Sequence, residues 1–513
     1  MIDLIVAPIV VPAVVAAFLI LVMRHDLAGQ RAVSIGATVL SLGIAAWLYV
    51  AASGGDPMSY RLGNWPAPFG IVLVLDRLSA TMLLLTALLA VAVVIYALAG
   101  WDARGRHFHP LFQFQLMGLN GAFLTGDVFN LFVFFEIMLI ASYGLLLHGG
   151  GERRLRAGFH YVAINLVGST LFLFAVGLIY AVTGTLNMAD LANKVGNVAA
   201  GDEALLRVGA LLLLLVFALK AALVPLQWWL PSAYAAAAGP VAALFMMMTK
   251  VGAYSIVRVY TVIFGAGAGA AADIAAPWVM PAALATLVLG AIGVLASTTL
   301  LGLVGFSIVW SMGSLLLAIG LFDQGGLSAG LYYLLHSTMS GAVLFLVADL
   351  VATERGRHAD RLVAAPASPR LPLLAALFFV AAIAMTGMPP LSGFVGKLLI
   401  LDAVWDRPLG TASWVVLLAT SLVVIVGYAR AGSTLFWKTE LRRTAPARTA
   451  AAPSITAPAA VVVGLLAATV LLSVFAGPVA RELDATARQT LDVGAYVGAV
   501  SPAAVAESGR GRP

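Results

Sequence analysis

Residues 208–259 read VGALLLLLVFALKAALVPLQWWLPSAYAAAAGPVAALFMMMTKVGAYSIVRV, and the nature of the whole chain turns on them. Two lysines, Lys220 and Lys250, stand deep inside apolar runs, with Pro225, Pro231 and Pro240 between them. An ammonium at bilayer depth costs roughly 2.5–3.5 kcal/mol on insertion scales, so a lysine kept there is a functional candidate. Proline has no N–H and clashes with the carbonyl four residues back, so Pro225 and Pro231 are expected to break the helix carrying Lys220. Broken helices are tolerated in a membrane where protein or a watery cavity satisfies the freed backbone groups. The stretch therefore points to a path for protons or ions.

The rest of the chain agrees. Its 513 residues are 62% hydrophobic and 10% charged, a balance that suits a polytopic helical membrane protein. The apolar runs are about twenty residues long, unlike the alternating ten-residue strands of a membrane β-barrel. Net charge of +6 is dispersed over loops, so it reports orientation and not nucleic-acid binding. There is no cysteine, which excludes disulfides and thiolate-held clusters or zinc. The first 23 residues lack a basic leading region, and Arg24 follows the apolar run, so they read as a retained first helix.

At ~20 apolar residues per crossing, the expected fold is an all-α polytopic membrane protein of about fourteen spans. These lie near 2–23, 31–53, 73–100, 108–125, 127–148, 159–183, 205–227, 238–264, 275–297, 300–321, 326–350, 371–406 (interrupted), 411–436 and 456–477. With both termini outside, 16 Lys and Arg fall in inner loops against six in outer loops, the bias that sets orientation. VPLQWWLP (224–231) and MPPLSGF (388–394) each put a proline break in an apolar helix with a lysine, so Pro389 and Pro390 form a second expected break. The chain divides into helices 1–3 (1–107), a first five-span unit (108–264), a second (275–436) and a final helix with a polar tail (437–513). Two units of five spans would be inverted relative to each other. From Gly477 onward the tail is expected to be exposed and partly disordered.

Five ionisable groups lie at membrane depth. Glu136, nine residues after Asp127, is too far along its span for a short stem to reach headgroups. Lys220, Lys250 and Lys397 have stems long enough to snorkel, but their depth favours function. His336 can serve as a core hydrogen-bonding residue or as a relay between buried acid and base. Burial disfavours the charged forms of lysine and glutamate, and an opposite charge within ~4–6 Å favours them. A Glu136 that approaches and leaves Lys220 would hold or release its proton, passing it through Lys250 and His336 to Lys397. Asp349, Asp402, Asp127 and Arg258 lie nearer span ends and read as solvated. No Walker loop, dinucleotide fingerprint or metal-ligand cluster is present, and no cofactor is expected; His107 and His109 are a weak metal pattern.

GDVFNLFVFFEIMLIASYGLLL, LKAALVPLQWWLPSAY, GPVAALFMMMTKVGAYSIVRV, HSTMSGAVLF and TGMPPLSGFVGKLLILDA, in that order and spacing, resemble the antiporter-like subunits of respiratory complex I and Mrp-type cation/proton antiporters. The resemblance covers roughly residues 70–440 and is greatest to the D-type subunit of the Mrp antiporter. It implies fourteen helices with two inverted five-helix repeats, each with a broken helix. It assigns the acid and base of a first half-channel to Glu136 and Lys220, the connecting lysine to Lys250, and the second half to His336 and Lys397. It also implies a bacterial plasma membrane, a hetero-oligomeric complex with other antiporter subunits, and exchange of sodium, or sometimes potassium, for protons. Two departures stand out: 297–313 lacks the basic cluster of many relatives, and Gly341 replaces a lysine that some have five residues after the histidine.

The alternatives are a proton-pumping membrane subunit of complex I or of a membrane-bound hydrogenase, and a scaffold that conducts nothing. No enzyme chemistry is expected of the chain itself.

Overall fold

The computed structural model describes residues 2–440 and 455–501. Its helices are α1 (Ala7–Leu21), α2 (Leu27–Ser53), α3 (Arg77–Ala97), α4 (Phe108–Leu124), α5 (Val128–Leu147) and α6 (Glu152–Thr183). Then follow α7 (Met188–Lys194), α8 (Glu203–Lys220), α9 (Trp229–Ala236), α10 (Gly239–Val262), α11 (Ala276–Ala296), α12 (Leu300–Ile319) and α13 (Gln324–Arg355). The last are α14 (Leu371–Thr386), α15 (Ser392–Val404), α16 (Gly410–Gly432), α17 (Thr456–Val474), α18 (Ala476–Leu491) and α19 (Val493–Val500). Short polar caps start many of them. Asp26, Asp76, Asp127 and Asp323 accept from backbone N–H groups of α2, α3, α5 and α13, as Thr299 does for α12.

Among the described residues, eleven helices are long and apolar enough to cross a membrane. The 17-residue α4 and the two interrupted pairs, α8–α9 and α14–α15, are not among them. The span expected over 73–100 begins differently: Val72–Leu75 form a strand, β2, antiparallel to β1 (Met58–Arg61), and the helix starts at Arg77. Asp76 explains the boundary, because its side chain bonds Ser79 and its extended backbone cannot continue a helix.

The breaks fall at 221–228 and 387–391. Pro225, Pro389 and Pro390 lie in them, but Pro231 does not: it is the third residue of α9, where the N–H has no intrahelical partner to lose. The tail also departs from expectation over 477–501; the rest of that expectation, 502–513, lies outside the described residues. Ala476–Leu491 and Val493–Val500 are helical, and Leu483, Thr486 and Ala487 of α18 are buried against the bundle. Glu482 pairs with Arg77, and Gln489 accepts from the Arg77 backbone N–H at 2.8 Å. Charge along 477–492 makes this segment look detached, yet those charges are its contacts.

Consecutive helices recur after a constant 172 residues: α5 and α12 start at Val128 and Leu300, and α6 and α13 at Glu152 and Gln324, each pair equal in length. α4 and α11 end in the same register, at Leu124 and Ala296. Gly118 and Gly121 let α4 close on Met138 and Phe134 of α5; Gly290 and Gly293 let α11 close on Trp310 and Phe306 of α12. A Cβ at any of the four would come within 2.7 Å of its neighbour. The loop at 125–127 lies against the β hairpin, with Gly126 N–H donating to Val72. Its counterpart at 297–299 lies at the arginine-rich end, where the Ser297 carbonyl accepts from Arg430. α10 stands at the centre, buried along its entire length.

Candidate functional site

Burial answers whether the three lysines and the histidine escape to the surface. Lys220 is 5% exposed, Lys250 and His336 0%, and Lys397 6%, so none snorkels. Lys220, His336 and Lys397 each have an oxygen partner, as buried polar groups require, whereas Lys250 has a thioether sulfur.

At the first break, Lys220 is the last residue of α8, and its Nζ donates to Asn165 Oδ1 on α6 at 2.9 Å. Asn165 in turn donates to the Tyr161 carbonyl at 2.8 Å, which fixes which end of its amide faces the lysine. One turn along α6, Ser169 donates to the half-buried Glu136 of α5. Acid and base thus meet the same helix at successive turns, and Glu136 is within electrostatic range of Lys220. Gly168 leaves room for Leu219 of α8, since a Cβ there would come within 2.5 Å of its Cδ2.

Lys250, midway along α10, has its Nζ 3.4 Å from Met312 Sδ of α12. His336 on α13 places Nδ1 2.8 Å from Ser392 Oγ, the first residue of α15, and 3.2 Å from Ser340 Oγ. Both Lys250 and Lys397 lie close enough to act on it electrostatically. Gly393 allows the contact, since a Cβ there would meet the imidazole at 2.8 Å.

At the second break, Lys397 points back from α15. Its Nζ donates to the Thr386 carbonyl at 2.5 Å and to Ser421 Oγ of α16 at 2.8 Å, and sits 4.1 Å from the centroid of Trp310. The Thr386 carbonyl is one of the orphan acceptors at the end of α14, so the break itself supplies the lysine's partner. Trp310 is aimed by its own Nε1–H bond to Thr420 at 3.0 Å.

Other expectations change. Arg258, read as solvated, is 2% exposed; it donates from both terminal nitrogens to Asp76, at 2.5 and 2.8 Å, and from Nε to Tyr254. Asp349 accepts from Tyr96 at 2.9 Å and Trp101 at 2.8 Å at a cavity of ≈ 440 Å³ that Arg104 and Arg154 also line. His109 faces Asp102 at 3.2 Å, and Arg31 holds the same carboxylate. Sequence reading missed Asn165, Ser169 and Ser421. The first two carried a signal, two polar residues four apart in the apolar run of α6; Ser421 carried none.

Residues 125–425 match the transmembrane model of the NADH:quinone oxidoreductase/Mrp antiporter family. The chain belongs to that family. Within it, the chain is 42% identical over 522 residues to a probable K(+)/H(+) antiporter subunit, of the D type, from Rhizobium meliloti (strain 1021), covering 95% of each. It is 36% identical over 503 residues to the D-type Na(+)/H(+) antiporter subunit of Alkalihalophilus pseudofirmus, covering 97% of this chain and 99% of the relative. A chain in the structure of the Mrp complex from Dietzia sp. superposes with a TM-score of 0.87 at 28% identity, over 98% of this chain and 100% of that one. Family membership makes the chain a multi-pass membrane protein and a transporter subunit, not an enzyme.

Proposed function

We propose that this chain is the proton-translocating subunit of a multi-subunit cation/proton antiporter, exchanging protons for sodium or potassium across a bacterial plasma membrane. The names of its D-type relatives support the class of exchange. The observation that carries the proton role is the meeting of Glu136 and Lys220 on successive turns of α6 beside a broken helix. A proton held on Lys220 is favoured while Glu136 stays ionised nearby, and is released when that carboxylate is neutralised or moves away. Lys250, His336 and Lys397 continue the line of groups across the molecule towards the second break.

On this reading the chain crosses the membrane fourteen times with both termini outside, and its two five-helix units are inverted repeats. The recurrence at 172 residues and the opposite ends taken by the 125–127 and 297–299 loops support the inversion. Glu136 has Ile308 at the equivalent position, so the second unit has no matching acid and relies on His336 and Lys397.

The test is cation-dependent proton flux in inverted vesicles lacking native antiporters, with the whole complex assembled. Lys220→Ala and Glu136→Gln should each abolish sodium- and potassium-driven flux. Full flux from both variants, with normal assembly, would leave only a scaffold role.

A further inference from the structure

None of the five ionisable groups lies on α1–α4, yet these helices bury polar side chains between them. On α2, Gln30, Ser34, Thr38 and Ser41 recur every three or four residues, and none is more than 5% exposed. Gln113 and Asn120 of α4 are buried as well. The Gln113 amide donates to the Ser34 carbonyl at 3.2 Å and to Ser34 Oγ and Thr38 Oγ1, each at 3.1 Å. Hydrogen bonds between helices hold membrane segments together where no hydrophobic force acts between them.

Further along this seam the bonding is incomplete. Pro12 has no N–H to offer the carbonyl four residues earlier, so Pro8 of α1 is left with a free acceptor. Asn120 fills it, donating from Nδ2 at 2.8 Å. A carbonyl only accepts, so the amide nitrogen must face Pro8, and the amide oxygen of Asn120 remains as an acceptor. Asn120, Ser41, Thr38 and Thr86 line a cavity of ≈ 10 Å³ among α1, α2, α3 and α4. Thr38 and Thr86 each turn their hydroxyl back to the carbonyl four residues earlier, at 2.7 Å. Ser41 does not do so: its Oγ is buried and has no hydrogen-bond partner among the described residues. Such hydroxyls are rare, because each forfeits its bonds to water.

We propose that this cavity binds one ordered water, and that the water fastens the N-terminal helices to α4. A buried water needs about 10–15 Å³ and typically makes about three hydrogen bonds to groups otherwise unsatisfied. Here it accepts from the Ser41 hydroxyl and donates to the Asn120 amide oxygen and to Thr86 Oγ1. Those three residues stand on α2, α4 and α3, and Asn120 carries the tie on to α1 through the Pro8 carbonyl. One water thus joins four helices at the point where Pro12 interrupts the bonding of α1. No charged group lines the cavity, which suits a neutral ligand and not a cation.

The experiment combines a cryo-EM map of the assembled complex with its thermal unfolding. The map should show ordered density within hydrogen-bond distance of Ser41 Oγ and the Asn120 amide oxygen. Ser41→Ala removes a bonded hydroxyl, so the midpoint of unfolding should fall by about 1–2 °C. The sign decides, because deleting a buried hydroxyl that bonds nothing leaves the midpoint unchanged or raises it. Asn120→Leu should lower the midpoint further, since it strips the Pro8 carbonyl as well as the water. Combined with Ser41→Ala, it should cost less than the sum of the two, because both act through one water. Additive losses would show that the two residues share no ligand. A map without density in the cavity, or with Ser41 Oγ bonded to the Ala37 carbonyl, would overturn the proposal, as would a Ser41→Ala midpoint at or above wild type. Should Asn120→Leu fail to assemble, Ser41→Ala and the map decide.

Discussion

Lys220 donates to Asn165 at 2.9 Å, and this bond, more than any ion pair, is what holds the ammonium in place at the end of α8. An amide accepts without neutralising, so it steadies the cation and leaves its proton free to move. Asn165→Ala removes the only acceptor given to Lys220 among the described residues, at a cost of about 1–3 kcal/mol for the group left unpaired. The expected outcome is a strong fall in cation-driven proton flux with assembled complex still recovered. Flux at the wild-type rate would mean that the bond does not position the lysine.

Gly387 closes α14 with φ of +72°, and a Cβ there would come within 2.8 Å of the Lys397 stem. Gly387→Ala meets two obstacles, a left-handed backbone costing about 1–2 kcal/mol and a collision with the lysine. Flux should fall more steeply than the amount of complex in the membrane, since Lys397 is displaced from the Thr386 carbonyl. Equal losses of flux and protein would assign the glycine to folding alone.

The Asp76–Arg258 pair joins the start of α3 to α10 and is almost fully buried. Breaking one side leaves an uncompensated buried charge, typically about 3–5 kcal/mol. Arg258→Met or Asp76→Leu alone should sharply reduce thermal stability of the purified complex, and the double variant should recover much of the loss. Additive losses in that cycle would show that the two side chains do not act as a pair.

Asp102, in the loop between α3 and α4, gives a pH-dependent test outside the membrane-spanning segments. Burial works to raise its pKa, but hydrogen bonds from His109 and Arg31 and the charge of Arg31 outweigh it, lowering the group to about 2. A carboxylate lowered on folding stabilises the protein above its unfolded pKa and loses that contribution as pH falls through the folded value. The stability advantage of wild type over Asp102→Asn should be constant above about pH 4 and shrink towards pH 2. An advantage independent of pH across that window would place the effect in packing.

Membrane character, the helical class and both interrupted helices are legible in the residues. Apolar length, proline position and lysine depth are local properties, and lipid leaves the backbone few solutions. Pro231 misleads because proline reads alike at a break and at a helix start. The tail misleads because α18 is polar on average, and its buried Leu483 and Ala487 are too sparse to announce a docked helix. Arg258 near a span end looks solvated because its partner Asp76 lies 182 residues earlier.

By itself, then, the sequence determined that ionisable groups stand at membrane depth beside broken helices, because inserting a charge is costly wherever the chain goes. Tertiary structure decided what each group touches: Asn165 for Lys220, Ser169 for Glu136, Ser392 for His336, and the Thr386 carbonyl for Lys397. Those partners lie on other segments of the chain, and a hydrogen bond depends on distances that only packing sets.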